Sequence, residues 1–247
     1  MHTSTTESVL QWPHFDQFPS LKADYIPIFH LEQSRHALVV ASSPIYPYVT
    51  QEDVASILDS FQQNVNFWYP TLSQSQIKRI SQSLSAGAPT DDSIDSCLAM
   101  LVMALGCASQ VTSRLNTETP LTSEDRRNRQ SRRTIGDIFF EGALKRLHVA
   151  NLVVNSTSAQ CLFFVAYVPP RFLHHIPNEN SLYFAFLCRP LQAWEHISAA
   201  ATKCLMLLSY SSGPGTQEDQ ERTRRVFWSC YILERYFPSH PNPSKPI

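Results

Sequence analysis

The chain has 247 residues, of which 43% are hydrophobic and 17% charged, so it is long enough to bury a substantial core. Its six glycines are too few for folds built on glycine-rich phosphate loops or many tight turns, and this favours helices. A formal net charge of −1 excludes the strongly basic character of a nucleic-acid-binding domain, so any DNA contact would be local or made elsewhere.

The six cysteines stand singly in apolar stretches, without the close spacings of zinc ligands or redox pairs. The amino end carries no signal-sequence pattern, and the longest apolar run, residues 97–108, is too short to span a bilayer. We therefore expect an intracellular, reduced protein with no membrane contact.

Prolines separate the predicted helices from their connections, and they crowd residues 1–47, which we interpret as an irregular leader. The first helix begins at Thr50, with Asp53 completing a capping box, and it ends at Tyr69-Pro70. Its apolar stripe is Val54, Ile57, Leu58, Phe61, Val65 and Trp68.

Two more helices follow. Ser73 caps a short one that ends near Gly87. The next begins after residues 91–93, and its small residues, Gly106 among them, allow close packing against other helices. The apolar positions of these two helices are Ile77, Ile80, Leu84, Ile94, Cys97, Leu98, Leu101, Val102 and Leu105.

Ser123 opens a long segment in which a cluster of arginines precedes apolar positions at helical spacing. The cluster comprises Arg126, Arg127, Arg129, Arg132 and Arg133. Such a cluster is compatible with nucleic-acid contact or nuclear import, but the acidic start and the near-neutral chain favour a solvated helix face. Another helix is predicted from Ser156 to Tyr167.

Residues 168–181 interrupt the helical pattern with two adjacent prolines, and we interpret them as a surface loop or as a translated intron. Arg189-Pro190 then starts a helix. Its stripe is Leu191, Trp194, Ile197, Ala201, Cys204, Leu205 and Leu208.

The last helix covers residues 218–237 after a cap at Thr216, and a tail without periodicity occupies 238–247. Beyond Arg225 its side chains are apolar in almost every direction, which predicts a central helix. Positive charge near a helix start is unfavourable. We therefore expect the arginines to pair with nearby acids or with neighbouring helices; the residues concerned are Arg222, Arg224, Arg225, Glu218, Asp219 and Glu221.

No motif indicates an enzyme, and no catalytic or metal-binding residue is predicted. Ser75 and Lys78 match a short nucleophile pattern by chance, and the adjacent His174-His175 pair lacks a partner at ligand spacing. Cys204 and Cys230 are interpreted as small buried hydrophobes. Several aromatic residues are interpreted as core, with an effector pocket as the alternative: Phe163, Phe164, Trp194, Phe227, Trp228 and Tyr231.

Three segments, in order, resemble the fungal-specific transcription factor regulatory domain that follows a Zn2Cys6 DNA-binding cluster. They are LAMLVMALGCAS (98–109), RPLQAWEHISAAA (189–201) and RTRRVFWSCYILER (222–235). The chain departs from that domain at 205–213, where a Leu-Gly-Leu-His turn is replaced. The resemblance covers the front half of the domain and places it at 48–237.

The resemblance implies an all-α, multi-helix bundle-like regulatory domain, present in part, acting in the nucleus. It implies control of transcription through interdomain or partner contacts or self-association, with a small-molecule effector left open. Zinc, in that family, belongs to a separate cluster that this chain does not contain, so we expect no cofactor and no direct sequence-specific DNA contact. The alternatives are a stand-alone helical interaction protein and an enzyme of unrecognised type.

Overall fold

The computed structural model describes residues 10, 12–23, 26, 28–34, 46–85, 87, 89, 91–113, 122–166, 190–210 and 217–236, and these form helices and connections without a strand. The predicted all-α class is therefore confirmed. The α-helices are α1 (Pro19–Ala23), α2 (Ile28–Gln33), α3 (Gln51–Phe61), α4 (Gln74–Ser85), α5 (Ile94–Ser113), α6 (Ser123–Leu152), α7 (Ser156–Ala166), α8 (Pro190–Ser209) and α9 (Gln217–Tyr236). A 3₁₀ turn (Pro13–Phe15) precedes α1 and a π-helical turn (Gln62–Asn66) follows α3.

Helix α5 forms the centre of the structure. Every residue from 97 to 108 is buried, because α3, α6 and α7 all pack against this helix. Helix α8 packs on α7, and α9 packs on α8 and α7. The bundle is therefore built outward from α5, with α8 and α9 on one side.

By length and composition alone, Ile94–Thr112 is long and apolar enough to cross a membrane. In the sequence we considered only the unbroken apolar run, residues 97–108, which is too short to cross a bilayer. In the described part of the chain 78% of this stretch is buried against other helices. Core helices pass the same test, so this match is weak evidence for a membrane span.

Glycine at position 106 explains how closely α3 approaches α5. A Cβ atom placed on Gly106 would lie 2.6 Å from Ile57 Cγ2, and closer still to the Ile57 carbonyl oxygen. The nearest obstacle is backbone, which cannot move aside as a flexible side chain does. The predicted role of Gly106 in close helix packing is confirmed.

Thr50 caps α3 as predicted, but the capping box is only half formed. Thr50 Oγ1 accepts a hydrogen bond from the Asp53 N–H at 3.1 Å and donates to Asp53 Oδ2 at 2.9 Å. The other carboxylate oxygen, Oδ1, accepts from Arg132 of α6 instead. Arg132 lies 79 residues away in the sequence, so the local pattern carries no sign of this partner.

The caps of α4 and α6 are complete. Ser73 and Gln76 bond reciprocally, with both N–H donors 3.3 Å from their side-chain acceptors. Thr122 and Asp125 form the capping box of α6, so the cap lies one residue before the predicted opening at Ser123. Threonine is favoured over the following serine here because the acid stands three residues after it.

The predicted stripe of the first helix is correct except at its end. Trp68 is 47% exposed, whereas Tyr69 is buried. The cause is the π-helical turn, which inserts about one extra residue into the helical repeat and rotates the following side chains. Tyr69 therefore takes the inward position that an uninterrupted α-helix would give to Trp68.

Contacts of Glu32 and Tyr46 connect the predicted leader (1–47) to the later helices, and part of the leader is helical rather than irregular. The Glu32 carboxylate accepts hydrogen bonds from the N–H groups of Leu191 at 2.8 Å and Gln192 at 3.1 Å. A carboxylate at a helix start satisfies free N–H groups and complements the helix dipole. Tyr46 packs against the core. The boundary between the leader (1–47) and the helical domain (48–237) stays a prediction. The contacts of Glu32 and Tyr46 cross this boundary.

Helix α9 is not the central helix that its sequence predicts. Val226, Cys230 and Leu233 are buried, but Trp228 and Ile232 are 57% and 45% exposed. The prediction is wrong in the described structure because α9 packs mainly against α8 and α7, which cover one side of it.

The predicted stripe of α8 needs a similar correction. Its buried apolar side chains are Ala193, Ile197, Ala200 and Cys204, whereas Leu205 is 51% exposed.

Several predictions fall on residues that lie outside those described. They concern the insertion at 168–181, the tail at 238–247, the cap at Thr216, the His174-His175 pair, Cys188, and the ends of helices at Tyr167 and Phe237.

Gly106→Ala is expected to destabilise the chain by about 1–3 kcal/mol, because the new methyl group overlaps the α3 backbone. Equilibrium urea unfolding measures the effect. Gly142→Ala is the matched control, since its Cβ would meet the ends of the Tyr46 and Met100 side chains. Equal losses of stability for the two variants would contradict the close α3–α5 approach.

Candidate functional site

Among the described residues no group of three or more His, Cys, Asp or Glu side chains is placed to hold a metal ion. The Zn2Cys6 ligand pattern does not occur in the sequence either. Ser75 does not engage Lys78: its hydroxyl donates to Glu218 at 2.7 Å and bonds Ser73 at 2.8 Å, while Lys78 is exposed. The short serine–lysine pattern therefore forms no catalytic dyad.

Cys204 and Cys230 both lie in the core. Burial raises the pKa of the Cys204 thiol to about 12, and it also raises the pKa of Cys230 well above its usual value. A thiol with so high a pKa is protonated at neutral pH and is a poor nucleophile. Their placement agrees with the interpretation as small buried hydrophobes.

The aromatic residues do not assemble into one pocket. Phe163 and Phe164 are fully buried, and Phe164 meets Phe61 edge to face with ring centroids 5.5 Å apart. Trp228 lies at the surface, where its ring meets Tyr231 edge to face at 5.7 Å. The core interpretation is thus right for the phenylalanines of α7 and wrong for Trp228 and Tyr231, which are 57% and 40% exposed.

The arginines at the start of α9 pair with acids, as predicted. Arg222 is buried, and its Nη1 donates to Asp219 at 2.8 Å and to the Ser156 hydroxyl of α7 at 3.1 Å. Glu218 accepts from Arg222 at 3.4 Å and from the Ser73 hydroxyl at 2.9 Å. This network joins the amino ends of α4, α7 and α9.

The two remaining arginines, Arg224 and Arg225, lie near the Glu221 carboxylate, at 3.8 and 2.9 Å. The acids of this turn therefore offset positive charge at the helix start, where the macrodipole opposes it.

Two buried cations of the core were not recognised in the sequence. Lys203 Nζ donates to the carbonyls of Asn151 at 3.0 Å and Val153 at 2.6 Å, where α6 ends, and burial lowers the pKa of this amine. Arg146 donates to the Asp91 carbonyl at 2.7 Å. A lysine inside an apolar helical stripe was the available signal for the first, because such a charge needs a partner.

The first two arginines of α6, Arg126 and Arg127, are exposed, as a solvated helix face requires. The next three, Arg129, Arg132 and Arg133, are half-buried, so that interpretation is wrong for them. The difference arises because α6 packs along α5, where Arg132 also reaches Asp53 of α3.

A cavity of about 550 Å³ lies beside Arg129 and Arg132, between α3, α5 and α6. Its lining residues are Tyr48, Asp53, Ser56, Gln110, Val111, Asn128, Arg129, Ser131, Arg132 and Ile135. A cavity of this size is within the range of small-molecule sites.

The two arginines of this cavity have different electrostatic surroundings. Arg132 pairs with Asp53, and its hydrogen bond is the largest cause that holds the pKa of Asp53 below the usual value. Arg129 has no such partner: its Nε and Nη2 atoms are enclosed without a hydrogen-bond acceptor in the described structure. The cavity therefore carries one positive charge that no neighbouring carboxylate of the described chain balances through a hydrogen bond.

The chain resembles a protein of Aspergillus rugulosus described as "Putative transcription factor ecdB". The two are 26% identical over 156 residues, which is 63% of this chain and 22% of that protein. This chain thus spans about a fifth of the length of its relative. No family profile and no solved structure matches. The likeness supports a transcription-factor relationship, while membership in the fungal regulatory-domain family stays a prediction.

Lys203→Met is expected to destabilise the chain by about 1–3 kcal/mol, because two carbonyls at the end of α6 lose their buried donor. Chemical denaturation measures the loss. Lys78→Met, at an exposed position of α4, is the matched control and should change stability by about 0.5 kcal/mol or less. A Lys203→Met variant as stable as this control would show that the contacts contribute nothing.

Asp137→Asn is expected to stabilise the chain at pH 7 and to have little effect near pH 4. Burial raises the pKa of Asp137 from 3.8 to about 6, so folding is penalised once the carboxyl must ionise. Stability contributed by the protonated group is complete below the unfolded pKa and is lost as the pH rises from about 4 through 6.

Thermal unfolding at the two pH values measures this difference, with Asp59→Asn as the control at an exposed acid. A stabilisation by Asp137→Asn that is the same at both pH values would rule out ionisation as its cause.

Proposed function

We propose that this chain is the regulatory part of a fungal transcription factor, acting in the nucleus through contacts with other protein segments. The observation that carries the proposal is its similarity over 156 residues to the Aspergillus rugulosus protein described as a transcription factor. The ordered motifs at 98–109, 189–201 and 222–235 support the regulatory rather than the DNA-reading part.

The pairing of charges supports the exclusion of direct DNA reading. DNA affinity depends on basic side chains that are free to neutralise phosphates. The arginines that open α9 instead lie against Glu218, Asp219 and Glu221, and the chain as a whole carries a formal charge of −1. These residues stabilise the helix start and offer no continuous basic surface.

Exposed apolar side chains on α8 and α9 support contact with other protein segments. Leu205 and Met206 are 51% and 47% exposed, and Trp228 and Ile232 are 57% and 45% exposed. Large exposed aromatic and aliphatic residues are enriched at protein interfaces, and tryptophan often contributes most of the binding energy. These side chains lie on two helices that pack together.

The experiment fuses the full chain to a bacterial DNA-binding domain and measures a reporter gene whose promoter carries the matching operator. We expect the fusion to raise or lower reporter output relative to the DNA-binding domain alone. Trp228→Ala should reduce this effect several-fold, because truncating an interface tryptophan commonly costs about 2 kcal/mol or more of binding energy.

Trp68→Ala is the matched control: Trp68 is 47% exposed and also stacks edge to face on a neighbouring ring, that of Phe67. It should leave reporter output unchanged at equal protein level. An inert fusion, or specific binding of the unfused chain to promoter DNA in a mobility-shift assay, would refute the proposed function.

A further inference from the structure

One side of α9 carries accessible side chains at the spacing at which two helices pack against each other. Arg224 and Glu234 are exposed, Tyr231 is 40% exposed, and Phe227 is partly buried against the core. The positions 224, 227, 231 and 234 are separated by three, four and three residues, so they follow one side of an α-helix. This repeat is typical of the contact line between two paired helices. We call these four residues the α9 seam.

The two ends of the α9 seam carry opposite charges. Arg224 lies 3.8 Å from Glu221, which bonds Arg225 more closely, at 2.9 Å. Glu234, at the other end, forms no ion pair with any side chain that the structure describes. A negative charge in the last turn of a helix is opposed by the macrodipole, so Glu234 does not stabilise its own helix.

Opposite charges at its two ends make the α9 seam complementary to a reversed copy of itself. A two-fold axis across the helix at the level of Ser229 exchanges positions 224 and 234, and it exchanges positions 227 and 231. Each arginine of the seam then lies beside the glutamate of the other copy, and each phenylalanine lies beside the tyrosine. A parallel pair would instead place like charges together, which is unfavourable. Charge complementarity therefore selects the antiparallel arrangement.

We propose that this chain forms a two-fold symmetric dimer in which α9 of one copy packs antiparallel on α9 of the other along the α9 seam. Trp228 borders the seam, with 57% of its surface exposed and its ring edge to face with that of Tyr231. The second copy covers these rings, and aromatic side chains of this kind often contribute most of the binding energy of an interface. The dimer names the partner of the α9 surface, and only its use in transcription rests on the proposed function.

The test measures self-association of the full chain by analytical ultracentrifugation over a series of concentrations. We expect the mass to rise from that of one chain toward that of two at about 10–100 µM. Arg224→Glu and Glu234→Arg should each weaken association about tenfold or more, because each places like charges together twice in the dimer. The double variant, with both substitutions, restores opposite charges and should associate as the unchanged chain does.

Arg79→Glu is the matched control, because it changes the charge of an exposed position of α4 by the same amount as Arg224→Glu. It should leave association unchanged. The double variant also excludes misfolding as the cause of weaker association, since it contains both substitutions and still forms the dimer.

A chain that stays monomeric over this range, single variants that associate as the unchanged chain does, or a double variant as weak as the single ones would each overturn the proposal. The reporter experiment fails separately. An inert fusion of a chain that dimerises as expected would refute the proposed function and leave the dimer intact. A monomeric chain whose fusion still alters reporter output would refute the dimer alone.

Discussion

The burial of α5 on all sides is the constraint on which the structure depends. A helix with apolar residues in every direction is stable in water only when other helices surround it. Helices α3, α6 and α7 do this, and Gly106 lets α3 approach to the distance at which its own apolar face is buried. Outside this group, α4 packs on α3, α8 packs on α7, and α9 packs on both α8 and α7.

Polar side chains fix how the outer helices attach to this core. Arg222 and Glu218 join the amino ends of α4, α7 and α9, Lys203 holds the end of α6 against α8, and Glu32 caps α8 from the leader. Each of these groups satisfies a helix terminus or a buried charge. Two guanidinium nitrogens of the half-buried Arg129, Nε and Nη2, are exceptions, since they are enclosed without an acceptor in the described chain.

Local patterns were sufficient for the helices from α3 onward, for the caps at Thr50 and Ser73, and for the close packing at Gly106. They did not predict the short helices α1 and α2 in the leader. They failed where the outcome depends on distant partners. The π-helical turn that places Tyr69 inward instead of Trp68 has no sequence signature. The pairing of Arg132 with Asp53 of α3 depends on a residue far away in the chain. The sequence predicted α9 as a central helix because its side chains are apolar in almost every direction. This pattern shows how apolar a helix is, but it does not show which neighbouring helices cover it.

Amide hydrogen exchange of the purified chain tests the central claim that the fold is organised around α5 and leaves α9 at its edge. Core helices open only in global unfolding, whereas peripheral ones open locally and exchange faster. We predict the slowest exchange in residues 97–108 and measurably faster exchange in residues 226–233. Equal or slower exchange in 226–233 would show that α9 is a central helix after all and would remove the exposed surface from the proposed function.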